Sequence, residues 1–237
     1  MNSTIQSYSM IINGELVESV TGQWIEVENP ANKTVFARVP SGNKADVDIA
    51  VQAADRAFKT WSQVAAAERA RLLHQIAGAL EEKIELMAKT ISQENGNALR
   101  TQSRGEARLT VDFVRYVAGL CREIKGNSVY LSSDNLDYTR REPFGVVGAI
   151  VPWNAPLLLA ALKVAPAVMT GNTIVLKSSE EAPLAVHILM QTFNEFLPPG
   201  VVNLVTGTGL ACGAPLVEHP KVPKVSFTGS TAVGRSI

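Results

Sequence analysis

The feature that most restricts the fold lies after Pro143, where short apolar runs alternate with helix-length segments. Val146–Val151, Thr173–Lys177, Val201–Val205 and Lys224–Phe227 read as strands, because each is brief and bounded by turn residues. Between them Pro156–Thr170, Ala182–Phe196 and Cys212–Glu218 read as helices, and a further helix opens at Ser230. Strands that are apolar nearly throughout are buried on both faces, and strands joined through helices run parallel. The expected class is α/β, with a parallel sheet covered by helices.

The first half has a different texture. Ile11–Ile12 runs into the turn Asn13–Gly14, Trp24–Val27 alternates up to Asn29–Pro30, and Val35–Val39 alternates before Pro40. Three amphipathic helices are expected next: Ala45–Trp61, one long run Ala66–Gln93 ending near Asn95–Gly96, and a third from Ala98 to about Ile124. Ser128–Pro143 then reads as a protruding β-hairpin, with a polar turn at Ser132–Asn135. The expected organisation is residues 1–127, strands and helices of a coenzyme-binding domain; 128–143, the hairpin; and 144–237, a Rossmann-like nucleotide-binding part. The last helix has only a turn or two before Ile237, so the sequence is expected to continue in the parent protein.

Composition narrows the partners. Lys plus Arg and Asp plus Glu both number 22, which gives no reason to expect nucleic acid or an anionic membrane. Cys121 and Cys212 form no CxxC pair, and His74, His187 and His219 are far apart, so no metal site is expected. Met1–Met10 lacks the regions of a signal peptide, and the apolar stretch Leu157–Met169 is interrupted by Lys163 and Pro166 and too short to span a bilayer. The cytoplasm is the expected location.

In open α/β sheets, ligands bind beyond the C-terminal strand ends. The first such end is Val151-Pro152-Trp153-Asn154, where Asn154 either donates its amide to a developing oxyanion or caps the next helix. At the second, Lys177-Ser178-Ser179-Glu180, a carboxylate suits ribose hydroxyls or simply a helix start. The third, Gly207-Thr208-Gly209 with Gly213, permits close approach of a ligand but does not form a GxGxxG fingerprint. At the fourth, Phe227-Thr228-Gly229-Ser230, a strand passes through glycine into a helix start that suits a pyrophosphate. Together these turns point to a dinucleotide cleft. Neither cysteine and no histidine has a setting that marks it as nucleophile or general base.

The run Tyr138–Pro156 and the run Phe227-Thr228-Gly229-Ser230-Thr231-Ala232-Val233-Gly234 resemble the aldehyde dehydrogenase superfamily, and the likeness extends from about Ile11. The resemblance implies that Asn154 is the oxyanion-holding asparagine, that Lys177 and Glu180 contact the adenosine ribose, and that Ser230 meets the pyrophosphate. It places Gly209 and Gly213 beside the adenine, with Val151, Pro152, Trp153, Ser178, Phe227, Thr228, Gly229 and Val233 as further parts of the cleft. Ser178 stands where the family most often has proline, which leaves the local backbone less fixed. Glu180 should repel a 2′-phosphate, so the implied coenzyme is NAD, although NADP is accepted by many relatives. The implied reaction is oxidation of a small-molecule aldehyde to a carboxylic acid by thiolate attack and hydride transfer. Its nucleophilic cysteine and activating glutamate lie, by the same resemblance, beyond Ile237. The hairpin corresponds to the family's oligomer-building element, implying a homodimer or homotetramer of the full-length form. Two other readings stand beside this one: a short, catalytically inactive nucleotide-binding or interaction protein, and the acylating or phosphorylating branch of the superfamily.

Overall fold

The computed structural model describes residues 5–237, so the first four residues of the polar start lie outside the description. Short strands open the chain: β1 (Gln6–Ser7), β2 (Met10–Ile12), β3 (Glu15–Val17), β4 (Trp24–Asn29) and β5 (Thr34–Pro40). The helices α1 (Lys44–Trp61), α2 (Ala66–Glu82), α3 (Ile84–Asn95) and α4 (Arg104–Leu120) follow. The hairpin strands are β6 (Ser128–Ser132) and β7 (Asn135–Tyr138). The remainder alternates: β8 (Val146–Ile150), α5 (Pro156–Met169), β9 (Thr173–Lys177), α6 (Leu184–Asn194), β10 (Val202–Val205), α7 (Ala214–Val217), β11 (Lys224–Phe227) and α8 (Thr231–Ser236).

The main sheet has six strands in the order β11-β8-β9-β10-β2-β3. Strands β11, β8, β9 and β10 are mutually parallel, as expected, whereas β2 joins β10 antiparallel and carries β3 as its hairpin partner. At that edge Leu204 pairs with Ile11, and the sheet becomes mixed. Strands β1, β5 and β4 form a second, smaller sheet, and β6 pairs with β7 alone.

Alternate residues of the parallel strands enter different cores. Val147, Ala149, Ile174, Leu176 and Leu204 pack with α2, α4, α5 and α6, whereas Val146, Val175 and Val205 pack with α1. Burial on both faces is why these strands are apolar almost without alternation. Truncating the fully buried Leu176 to Ala would cost about 2–5 kcal/mol. Helix α1 begins with a capping box: Asn43 Oδ1 accepts the Ala45 and Asp46 N–H groups, and Asp46 accepts that of Asn43 at 2.9 Å.

Two helix expectations need correction. The run 66–93 is two helices, broken at Lys83, whose backbone leaves the helical region (φ −98°, ψ 5°) while its Nζ reaches Thr192 and Glu195. The third helix opens with a π-helical turn, Leu99–Ser103, and ends at Leu120 rather than near Ile124. Among the described residues no helix is long and apolar enough to cross a membrane.

Candidate functional site

The register Ile150↔Lys177↔Val205, with Phe227 opposite Ile150, brings the C-terminal ends of four parallel strands to one edge of the sheet. The four turns singled out in the sequence all leave from that edge.

After β9, Lys177 is buried and its Nζ donates to Glu180 Oε2 at 2.8 Å. Burial pushes the Glu180 carboxyl up, but the hydrogen bond and charge of Lys177, together with the backbone N–H groups of Glu180 and Gly209, outweigh it and hold the group below the usual carboxylate range. The Glu180 side chain stays 34% exposed, so it still faces solvent. It is not a first-turn residue, because α6 begins only at Leu184. That helix is capped instead by Glu94 at the end of α3, whose carboxylate accepts the N–H groups of Leu184 at 2.6 Å and Ala185 at 3.0 Å. Burial pushes Glu94 up to about 8. The Ser178 hydroxyl is buried and has no protein partner among the described residues.

After β8, the loop Pro152–Ala155 leads into α5. The helix-capping alternative for Asn154 falls away here: Ala155 occupies the cap position, and Glu106 of α4 accepts the N–H groups of Leu157 and Leu158. Asn154 is exposed, and among the described residues its side chain has no hydrogen-bond partner. The loop backbone is anchored by Asn95, which donates to the Trp153 carbonyl, and Asn97, which donates to that of Asn154.

After β10, Thr208 Oγ1 accepts the Ala211 N–H at 3.2 Å and starts a π-helical turn, Gly209–Gly213, earlier than the expected helix start at Cys212. A side chain on Gly209 would meet only open space. Gly209 and Gly213 share a cavity of about 400 Å³ with Ile150, Leu210, Phe227 and Val233. Its walls are mostly apolar.

After β11, the Phe227 ring folds back over Gly229. A Cβ at that glycine would lie 2.4 Å from the ring, so a side chain there would have to displace Phe227. Ser230 caps α8 by accepting the Val233 N–H at 3.3 Å. Lys163 of α5 donates to Ser226 Oγ at 3.0 Å and Thr228 Oγ1 at 2.9 Å, and burial lowers its pKa.

The edge therefore gathers Lys177 with Glu180, and Gly209 and Gly213 with Phe227 and Val233. Val151 and Ser178 are buried behind it, Pro152 and Thr228 half-buried, and Trp153, Gly229 and Ser230 exposed. Glu94, Asn95, Asn97, Glu106 and Lys163 were not picked out by the sequence reading. A single lysine in the otherwise apolar α5 was the visible signal for Lys163; the others bond to segments remote in the chain. A wider cavity of about 980 Å³ opens at the far end of the sheet, lined by Arg69, Cys121, Arg141, Phe144 and Asn172 among others, and shares no residue with these turns. Both cysteines are buried, with the Cys212 thiol pushed up to about 12 and that of Cys121 also raised by burial.

The profile described as "Aldehyde dehydrogenase family" matches residues 16–237. The chain is 40% identical over 232 residues to acetaldehyde dehydrogenase 2 of Cupriavidus necator, covering 98% of this chain and 46% of that protein. The NAD⁺ complex of an aldehyde dehydrogenase from Bacillus cereus superposes with a TM-score of 0.95 at 40% identity, over 98% of this chain and 48% of the other. An NAD-dependent aldehyde dehydrogenase from Sinorhizobium meliloti gives 0.95 at 36% identity, over 99% and 47%. The chain spans about half the length of the curated relatives it matches.

Proposed function

The chain belongs to the aldehyde dehydrogenase family, and on that premise we propose that it holds NAD along the C-terminal edge of its parallel sheet and supplies Asn154 to an aldehyde's reacting oxygen. The observation that carries this reading is the Lys177–Glu180 pair standing on the same sheet edge as the glycine-lined cavity. Glu180 keeps an exposed carboxylate to accept from ribose hydroxyls, and its charge opposes a 2′-phosphate, which favours NAD over NADP. The adenine is assigned to the apolar cavity beside Gly209 and Gly213, and the diphosphate to the turn Thr228–Ser230 that opens α8. NAD, when bound, supplies the hydride acceptor. Asn154 has an amide free to donate to an oxygen that becomes negative.

The nucleophile is another matter. The thiols of Cys121 and Cys212 are buried and shifted away from the thiolate, the reverse of an activated cysteine. We therefore read these 237 residues as a coenzyme-binding unit that does not by itself turn over an aldehyde. We read its parts as residues 1–127 and 144–237 forming the coenzyme-binding body and 128–143 a hairpin for self-association. The exposed Tyr130, Leu131, Leu136 and Tyr138 support that last assignment.

Calorimetric titration of the purified chain with NAD and NADP tests the reading, with intact mass checked on the same sample. Saturable binding with NAD preferred is expected. No binding by folded chain of the correct mass would sink it.

A further inference from the structure

We propose that Asn95 and Asn97 are positioning residues that hold the Trp153–Asn154 loop in place, an inference whose functional consequence rests on the role given to Asn154 above. Helix α3 ends at Gly96 in the left-handed region (φ 80°), which reverses the chain and sets the two asparagines on either side of the turn. Asn95 Nδ2 donates to the Trp153 carbonyl at 3.1 Å, and Asn97 Nδ2 to the Asn154 carbonyl at 3.1 Å. Asn95 Oδ1 is already engaged, accepting the Asn97 N–H at 2.9 Å, so the end of Asn95 that faces the loop is its donor. The Ser103 hydroxyl donates to the Asn97 carbonyl and fixes the turn from below.

The loop has few other means of support. Pro152 and Pro156 bound it and donate nothing. Among the described residues the Asn154 side chain bonds to no protein group, so its position follows from its backbone. The same helix end carries Glu94, whose carboxylate caps α6. One turn therefore ties the oxyanion loop to the helix that follows the Lys177–Glu180 pair and sets the spacing between them. An error of about 1 Å in such a group costs about 10²-fold in rate.

The test compares the wild-type chain with Asn95→Leu and Asn97→Leu, which keep shape but lose the donor, by ¹⁵N relaxation. In the variants the order parameters of Trp153–Ala155 should fall from about 0.85 to below about 0.6, with those of Leu159–Ala161 unchanged. Titration with NAD should show that the variants still bind the coenzyme, because the Lys177–Glu180 pair is untouched. In any preparation that oxidises an aldehyde, kcat should fall about 10-fold or more at constant KM for NAD. Asn97→Ser, too short to reach the carbonyl, asks the same question should the leucine variant not fold. Unchanged order parameters, or loosening that spreads through α5, would overturn the proposal. Loop loosening in a chain that binds no NAD would uphold the positioning role and defeat the function proposed above.

Discussion

Glu106 Oε1 lies 3.0 Å from the backbone nitrogen of Leu157 and accepts its N–H, so a carboxylate of α4 closes the first turn of α5. A helix start left open would bury unpaired N–H groups, and a capping anion also meets the positive end of the helix dipole. This arrangement leaves Asn154, three residues before Leu157, with no structural duty for its amide. Glu106→Ala should cost about 1–2 kcal/mol, a fall in Tm of about 2–8 °C for a chain of this size. Thermal unfolding followed by circular dichroism reads it, and an unchanged Tm would mean that water replaces the cap at no cost.

Glu94 gives a pH dependence whose sign can be worked out. Its carboxyl moves from 4.5 when unfolded up to about 8 when folded, because burial disfavours the charge. Between those values the folded protein keeps a proton that the unfolded chain has released, so stability falls as pH rises through the window. Glu106, also raised by burial, has the same sign. His187 is pressed from 6.5 down to about 4, so its stabilising contribution grows with pH but is complete above 6.5. From pH 6.5 to 8 the urea midpoint should therefore decline, and Glu94→Gln should remove most of the slope. A wild-type midpoint that rises across this range would contradict the assignment.

Glu180→Ala removes both the ribose acceptor and the partner of the buried Lys177. Losing a hydrogen bond to a charged group costs about 1.5–3 kcal/mol, so NAD should bind about 10- to 100-fold more weakly. NADP should lose less, since the repulsion of its 2′-phosphate is relieved at the same time. Equal losses measured by calorimetry would count against the ribose assignment.

Gly229→Ala sets a methyl against the Phe227 ring, 2.4 Å from its nearest atom. The ring is the mobile end of a half-buried side chain, so it should swing toward the cleft with a Tm change of only a few degrees. NAD binding should weaken about 10-fold or more, and Phe227→Leu added to Gly229→Ala should restore part of it. Simple additivity in that double-mutant cycle would show that the ring is not the cause.

Neither thiol should react in the folded chain. Cys212 Sγ packs beside the Thr206 carbonyl with its pKa pushed up to about 12, and Cys121 is raised as well. At pH 7 iodoacetamide should leave both unmodified by mass spectrometry and alkylate both in urea. Labelling of either in the folded chain at the rate of a free thiol would reopen the question of a nucleophile within these residues.

The sequence by itself determined the elements whose cause is local. The four parallel strands were legible because runs such as Thr173–Lys177 have no polar alternation, and the turns at their ends because Gly209, Gly229 and Ser230 announce themselves by type. Lys177 and Glu180 stood out by type at a strand end, where the sequence left open ribose contact or a plain helix start; that they pair with each other came only from the structure. Only the tertiary structure decided what depends on pairing across the chain. Glu94 caps a helix that begins 90 residues later, Glu106 one whose capped N–H lies 51 residues later, and no local pattern says which buried carboxylate will find which unpaired N–H. The break at Lys83 and the antiparallel join of β2 to β10 are of that kind too, set by packing once the sheet has formed. Local propensity writes the strands and turns; whether Asn154 caps a helix or stands free is settled by a glutamate folded in from another layer.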